Sequence, residues 1–330
     1  LVKVIFFGNP FIYKWMGLVT LTEAADILVK VCAKVSANEN VLIISDKAQD
    51  AQILEALKEA VERVGAKPKV LLYDSLEGNR LPPPYDSAFN NVDVVFACST
   101  EPFSYDYFYD CTSKGARVIS MFRINTPTLL RTIQVDYEEL AEELEDLGKR
   151  LQKAKIAEVK TAAGTNLVME LAGRKARLAT GLAHNKGDLT FIPAGLVAVA
   201  PKEFTAKGRL FIDGTIIGAG RVQKPIMCMI QRGRLTDLAD DQAYPLLRYK
   251  LSRDEDANVL CELGIGTNPK AKIVGGAEDE RVRGTIFIGF GDNTLFGGKI
   301  RSQNHLDVTL LKGTLILDGE LVVEAGQILV

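Results

Sequence analysis

The chain has 330 residues, 47% hydrophobic and 25% charged, with 40 Lys and Arg against 42 Asp and Glu. That length exceeds one average domain, and the composition excludes a long disordered tail. A net charge of -2 leaves no basic field for nucleic acid or anionic lipid, so the expected partner is a small molecule or short peptide, with no nucleic acid and no membrane.

Residues 1–18, with Phe6, Phe7, Tyr13, Trp15 and Met16, fit neither pattern that follows. They read as an arm packed on a neighbouring subunit or on their own chain. From Thr22 to Val35 apolar residues recur at helical spacing and lead into the short apolar run Val41-Leu42-Ile43-Ile44, a buried strand. The alternation returns as a helix over 48–64, a strand at Val70-Leu71-Leu72, a Pro-rich loop at 82–84, a strand from Val92 to Cys98, a helix over 104–114 and a strand from Arg117 to Met121. Apolar strands alternating with helices predict a parallel sheet covered on both faces. An amphipathic helix, Tyr137 to Lys153, closes this half. Beyond Lys155 short alternating strands take over, punctuated by the hairpin dipeptides Asp213-Gly214 and Asp318-Gly319, with a weak helical pattern over 238–252. The predicted fold class is therefore α/β: a parallel-sheet domain over 1–153, including the arm, and a mainly β domain over 154–330.

Five cysteines without a C-x-x-C pair, and no apolar run of about 18 residues, suit a cytoplasmic protein. The first strand-to-helix turn, Ser45-Asp46-Lys47, lacks the glycines of a dinucleotide site. The glycine-rich stretch from Gly284 to Gly298 lacks the order of a phosphate loop, and its glycines suit bulges and strand crossings equally. With only His184 and His305, any metal must be held largely by carboxylates.

In Asn304-His305-Leu306-Asp307-Val308-Thr309-Leu310 polar and apolar residues alternate. On a strand, His305, Asp307 and Thr309 then share one face, which aims an imidazole and a carboxylate at one metal ion or one water. A solvated polar face would carry the same pattern. Glu262 enters a segment of Gly, Asn and Pro and reads as their partner or as an exposed strand end. His184, in a polar loop, is a catalytic base or a solvated histidine.

Six segments carry a resemblance: Val135-Asp136-Tyr137-Glu138-Glu139-Leu140, Gly164-Thr165-Asn166-Leu167, Ile192-Pro193-Ala194-Gly195, Glu262-Leu263-Gly264-Ile265-Gly266-Thr267-Asn268-Pro269, Phe290-Gly291-Asp292-Asn293 and His305-Leu306-Asp307. In order and in total chain length they resemble the aminopeptidase T-like metallopeptidase family, a group that also includes 2,5-dihydroxypyridine 5,6-dioxygenase. The resemblance implies an N-terminal α/β domain, a β-rich metal-site domain and a homodimer or larger homo-oligomer. In the peptidases two metals are held by two glutamates, a histidine, a tyrosine and a His-x-Asp pair. Glu262, His305 and Asp307 match three of these. Leu196 stands where the other glutamate is expected, Phe287 where the histidine is expected, and no tyrosine follows within fifteen residues.

What the resemblance leaves is one divalent ion, Zn, Mn or Fe(II), on Glu262, His305 and Asp307. The leading expectation is a metallo-hydrolase whose ion polarises a substrate carbonyl and its attacking water. Asp292 and Asn293 would orient the ligands from behind, and Lys299 or Arg301 would receive a substrate carboxylate. All four also suit turn chemistry or a solvated edge. The alternatives are an Fe(II)-dependent ring-cleaving dioxygenase, with Leu196 and Phe287 lining a site for a flat ring, and a metal-free relative without catalysis. The dioxygenases use two histidines and one aspartate on their iron, a set from which Glu262 departs.

Overall fold

The computed structural model describes residues 19–77, 80–83, 85–238 and 245–329, so the expected N-terminal arm lies outside the described residues. The first half builds a five-stranded parallel sheet from strands Lys67–Tyr73, Asn40–Asp46, Val94–Ala97 and Arg117–Ser120 in that spatial order, with Leu189–Phe191 as the fifth. Its central strands are buried on both sides, as continuous apolar runs require. The edge strand Lys67–Tyr73 departs from that pattern, with Val70 and Leu72 exposed. The fifth strand comes from beyond the 153/154 division, so the chain crosses back into the first sheet before continuing. The segment expected as one helix from Thr22 begins as an α-helix, Leu21–Asp26, capped by Thr20 and Glu23, and widens into a π-helical turn over Ile27–Cys32. A helix that periodicity did not suggest, Thr126–Thr132, is started by Asn125 with Pro127 in its first turn.

The second half packs an eight-stranded and a seven-stranded sheet, both antiparallel within this half. Asp318-Gly319 forms the expected hairpin between Thr314–Leu317 and Glu320–Glu324, with positive φ at both residues. Asp213-Gly214 does not. Strand Lys207–Ile212 ends there in one sheet and Thr215–Ile216 begins in the other. The dipeptide makes that transfer because Gly214 lies against Thr309, where a Cβ would sit 2.3 Å from the hydroxyl, while Asp213 accepts from the Leu311 amide at 2.8 Å. Helix Tyr137–Lys153, capped by Asp136 on the amides of Glu138 and Glu139, packs beside strands Leu196–Val199 and Arg177–Ala179. Among the described residues no helix is long and apolar enough to cross a membrane.

Among the polar ties between the halves, two centre on buried side chains. Asn268 donates to the carbonyls of Thr132 and Ala194 and accepts from the amides of Lys270 and Ala271. Glu278, almost wholly buried, accepts from Thr128 and Arg131 of the unexpected helix and from the Lys272 amide. Removing the cation strands a buried carboxylate. Arg131→Ala is therefore expected to destabilise the protein by about 3 kcal/mol, the lower end for a broken buried pair because Arg131 is partly exposed, read as a lower denaturation midpoint, with Arg131→Lys losing less; an unchanged midpoint would show the tie to be dispensable.

Candidate metal centre

Three neighbouring strands of the seven-stranded sheet, Leu260–Gly266, Ile286–Gly291 and His305–Leu310, bring Glu262, Gly289 and Asp307 opposite one another. The alternation read at His305 and Asp307 holds, because Leu306, Val308 and Leu310 point into the core. Glu262 lies inside a central strand and is buried, not exposed at a strand end. The register slips between Leu260 and Glu262, so a bulge at Cys261 turns Glu262 toward its partners.

The three donor atoms converge. His305 Nε2 lies 3.1 Å from Glu262 Oε2 and 3.4 Å from Asp307 Oδ2, and one donor from each residue lies within 4.8 Å of the others. Donors on a single ion with bonds near 2.1 Å stand about 3.0–3.4 Å apart at octahedral or tetrahedral angles. His305 Nδ1 faces the Asp292 carbonyl at 2.9 Å; since a carbonyl only accepts, Nδ1 carries the proton and Nε2 is turned toward the carboxylates. Asp307 Oδ1 is buried with no N–H or hydroxyl group donating to it, and the Glu280 carboxyl hydrogen-bonds Asp307 when it holds a proton; a cation would meet the same need. Gly289 provides the room: a Cβ there would stand 2.8 Å from both Asp307 Oδ1 and Glu262 Cβ. This donor set fits one divalent ion.

The electrostatics are those of crowded buried carboxylates. Burial, reinforced by Asp307, pushes the Glu262 carboxyl up to about 7. Burial likewise lifts Glu280, on the adjoining turn, to about 8 against the opposing charge of Arg281. Burial works against the His305 imidazolium, but Asp307 and Cys261 outweigh it and hold its pKa well above the ordinary histidine value. Asp307 is held below the usual carboxylate range because His305, aided by Arg281, outweighs its own burial.

Around this polar point the same sheet face is apolar. Leu196 and Phe287 join Ala179, Ala198, Ala200 and Phe296 in a buried cluster against which Phe191 and Leu295 pack. The Phe287 ring covers Gly264, where any Cβ would stand 2.0 Å from it. Phe296 stacks on the His305 ring at 5.7 Å and 23°. From the first half Tyr105 reaches over, packed edge-on against Phe122 and Phe191 and within electrostatic range of His305, Arg177, Arg281 and Glu280. His305 keeps 36% of its side chain accessible.

Several sequence candidates stand elsewhere. His184 binds the Val31 carbonyl at 2.8 Å through Nε2, and its amide binds Asp188; it braces a loop on the π-helical turn and is not brought to the triad. The Asp292 carboxylate is taken by Thr294 and the Ser302 amide, so Asp292 orients His305 through its main-chain carbonyl. Asn293 binds Glu203 and the Ile300 amide, a turn role. Arg301 is exposed, and Lys299 lines a surface depression with Arg174, Lys175 and Lys202. Tyr105, Arg177 and Glu280 were not singled out in the sequence: they lie in unrelated segments that only the fold gathers.

The family described as 2,5-dihydroxypyridine 5,6-dioxygenase (NicX) matches residues 21–330. The chain belongs to this family. It is 28% identical over 193 residues to 2,5-dihydroxypyridine 5,6-dioxygenase of Pseudomonas putida KT2440, a match covering 54% of this chain and 55% of the relative, so the alignment spans about half of that curated protein. Among solved structures, a 2,5-dihydroxypyridine dioxygenase from Pseudomonas putida KT2440 superposes with a TM-score of 0.81 at 21% identity, covering 94% of this chain and 96% of that one. Wild-type AmpT from Thermus thermophilus superposes with a TM-score of 0.70 at 18% identity, covering 94% and 99%. The α/β fold and the aminopeptidase T-like branch read from the motifs are both upheld.

Two outcomes test the centre. Gly289→Ala is expected to lower bound metal several-fold while the circular dichroism spectrum stays native, and His305→Ala to abolish binding; full metal content in Gly289→Ala would refute the geometry. An ion must also displace the His305 proton and, below about pH 7, the Glu262 proton. Affinity should therefore weaken by about tenfold or more for each pH unit lost below neutrality, measured by competition with a chelator whose own protonation is known.

Proposed function

We propose that this chain is a mononuclear metal enzyme that opens a hydroxylated aromatic ring with molecular oxygen, using Fe(II) held by Glu262, His305 and Asp307. The observation that carries this reading is the pairing of one three-donor centre with apolar surface. Leu196 and Phe287 lie buried where further ligands would be needed for a second ion. Phe191, Phe296 and Tyr105 add flat faces suited to a ring.

The ion, when bound, supplies Lewis acidity toward substrate oxygens and an electron-exchange partner for oxygen. The protein's own groups orient and shield. Asp292 holds the imidazole in one tautomer through its carbonyl. The apolar cluster excludes water and strengthens charge interactions at the ring's oxygens. Glu280, buried on the turn beside Asp307, is placed to exchange a proton with a substrate oxygen.

A metal-dependent hydrolase is the second reading, favoured by Glu262: the resembled peptidases hold metal with a glutamate in this segment, whereas the resembled dioxygenases use two histidines and one aspartate. In that case the ion would activate a water against a carbonyl, and Glu280 would protonate the leaving amine. Metal analysis of the purified protein and oxygen uptake separate the two. The first reading expects iron near one per chain and stoichiometric oxygen consumption with 2,5-dihydroxypyridine, falling at least 100-fold in His305→Ala. Zinc or manganese, with free amine released from a leucyl peptide and no oxygen uptake, would replace it by the second.

A further inference from the structure

On the face that carries the triad, strand Arg177–Ala179 lies two strands from Glu262, with Arg177 paired to Ala198 and Ala198 paired to Gly264. Two strand spacings and a two-residue step put the Cα atoms of Arg177 and Glu262 about 12 Å apart. Between them the sheet face is formed by Ala198, Ala200 and Gly264, with the buried Phe287 ring laid over the glycine. Tyr105 packs edge-on against Phe191, the ring under Arg177, and lies within electrostatic range of Arg177 and His305.

The guanidinium is held in place without being neutralised. It lies over the Phe191 ring at 5.2 Å, and one Nη reaches the Leu295 carbonyl at 3.4 Å. Its Nε is buried without a partner. Among the described residues no carboxylate stands within salt-bridge distance; Glu262 acts on it only at longer range. Burial lowers its pKa from the usual arginine value, the mark of a cation that lacks its counter-ion. A largely buried, unpaired arginine is unfavourable unless an anion completes it, and its planar fork matches a carboxylate in two parallel hydrogen bonds. Leu295 precedes Phe296, which stacks on His305, so one short segment supports both ends of the interval.

We infer that Arg177 is the anion-recognising end of the substrate site, and that the substrate is a flat ring bearing a carboxylate, held with its hydroxylated edge toward Glu262, His305 and Asp307. This rests on the ring-binding reading above and adds the substrate class. The carboxylate would take the arginine fork and the ring would lie against the partly exposed Phe191 and Tyr105.

The test uses the iron-loaded protein without oxygen and compares binding of 2,5-dihydroxybenzoate with that of 1,4-dihydroxybenzene, which lacks the carboxylate. The wild type is expected to prefer the carboxylated ring by about tenfold or more. Arg177→Gln should lose the preference while keeping its iron and its affinity for 1,4-dihydroxybenzene, and Arg177→Lys should retain part of it. No preference in the wild type, or an undiminished preference in Arg177→Gln, overturns the assignment. Oxygen uptake with the same compounds separates it from the reaction proposed above. Preference lost in Arg177→Gln without any oxygen uptake would leave Arg177 assigned and remove ring cleavage; oxygen uptake with no preference would do the reverse. Failure of both rings to bind removes the carboxylated-ring substrate together with the reading on which it rests.

Discussion

Glu262 and Asp307 stand on either side of Gly289 in a row across three antiparallel strands. Two carboxylates so placed repel one another in a region with little water, and each is costly to bury alone. The row is tenable because the residue between them has no side chain and because His305 offers positive charge to both. The bulge at Cys261, the Asp292 carbonyl behind the imidazole and the stacked Phe296 ring all serve that convergence. It places a positive-charge requirement at one point of an otherwise apolar sheet face.

The first half of the chain completes the site from outside the sheet. Tyr105 and Phe122 come from segments flanking the parallel sheet's last regular strand before the crossover, and Phe191 ends the strand that returns to it. Glu278 anchors the turn bearing Glu280 and Arg281 to helix Thr126–Thr132, so the domain contact and the surroundings of the triad share one short segment. Packing between the halves thus sets how closely the aromatic roof approaches the charged centre. A hydrophobic cluster that runs through both halves makes this contact part of the core.

The resemblance segments divide into two kinds once their contacts are seen. His305, Asp307 and Glu262 converge as the candidate centre. Asp136, Asn268 and Asn293 are instead hubs for main-chain hydrogen bonds: a helix cap, a loop clasp and a turn. Such residues recur in a fold because a buried amide or carbonyl must be satisfied, which makes them good markers of family and poor markers of chemistry. Asp292 shows the difficulty within one residue, since its position was relevant but its carbonyl, not its carboxylate, makes the contact with His305.

Periodicity alone was sufficient for the α/β fold class, for the long helix closing the first half, for the Asp318-Gly319 hairpin and for the shared face of His305 and Asp307. Each depends on neighbours within a few residues, where backbone geometry dictates which side chains point together. The tertiary structure alone decided that Glu262 is buried beside that pair, that Gly289 makes the room, that Asp213-Gly214 passes between sheets, and that Arg177 and Tyr105 face the same interval. Those outcomes depend on strand order and register, which join residues far apart in the chain. Local spacing cannot encode which strand becomes the neighbour of which, because that choice is made by burying whole faces against one another.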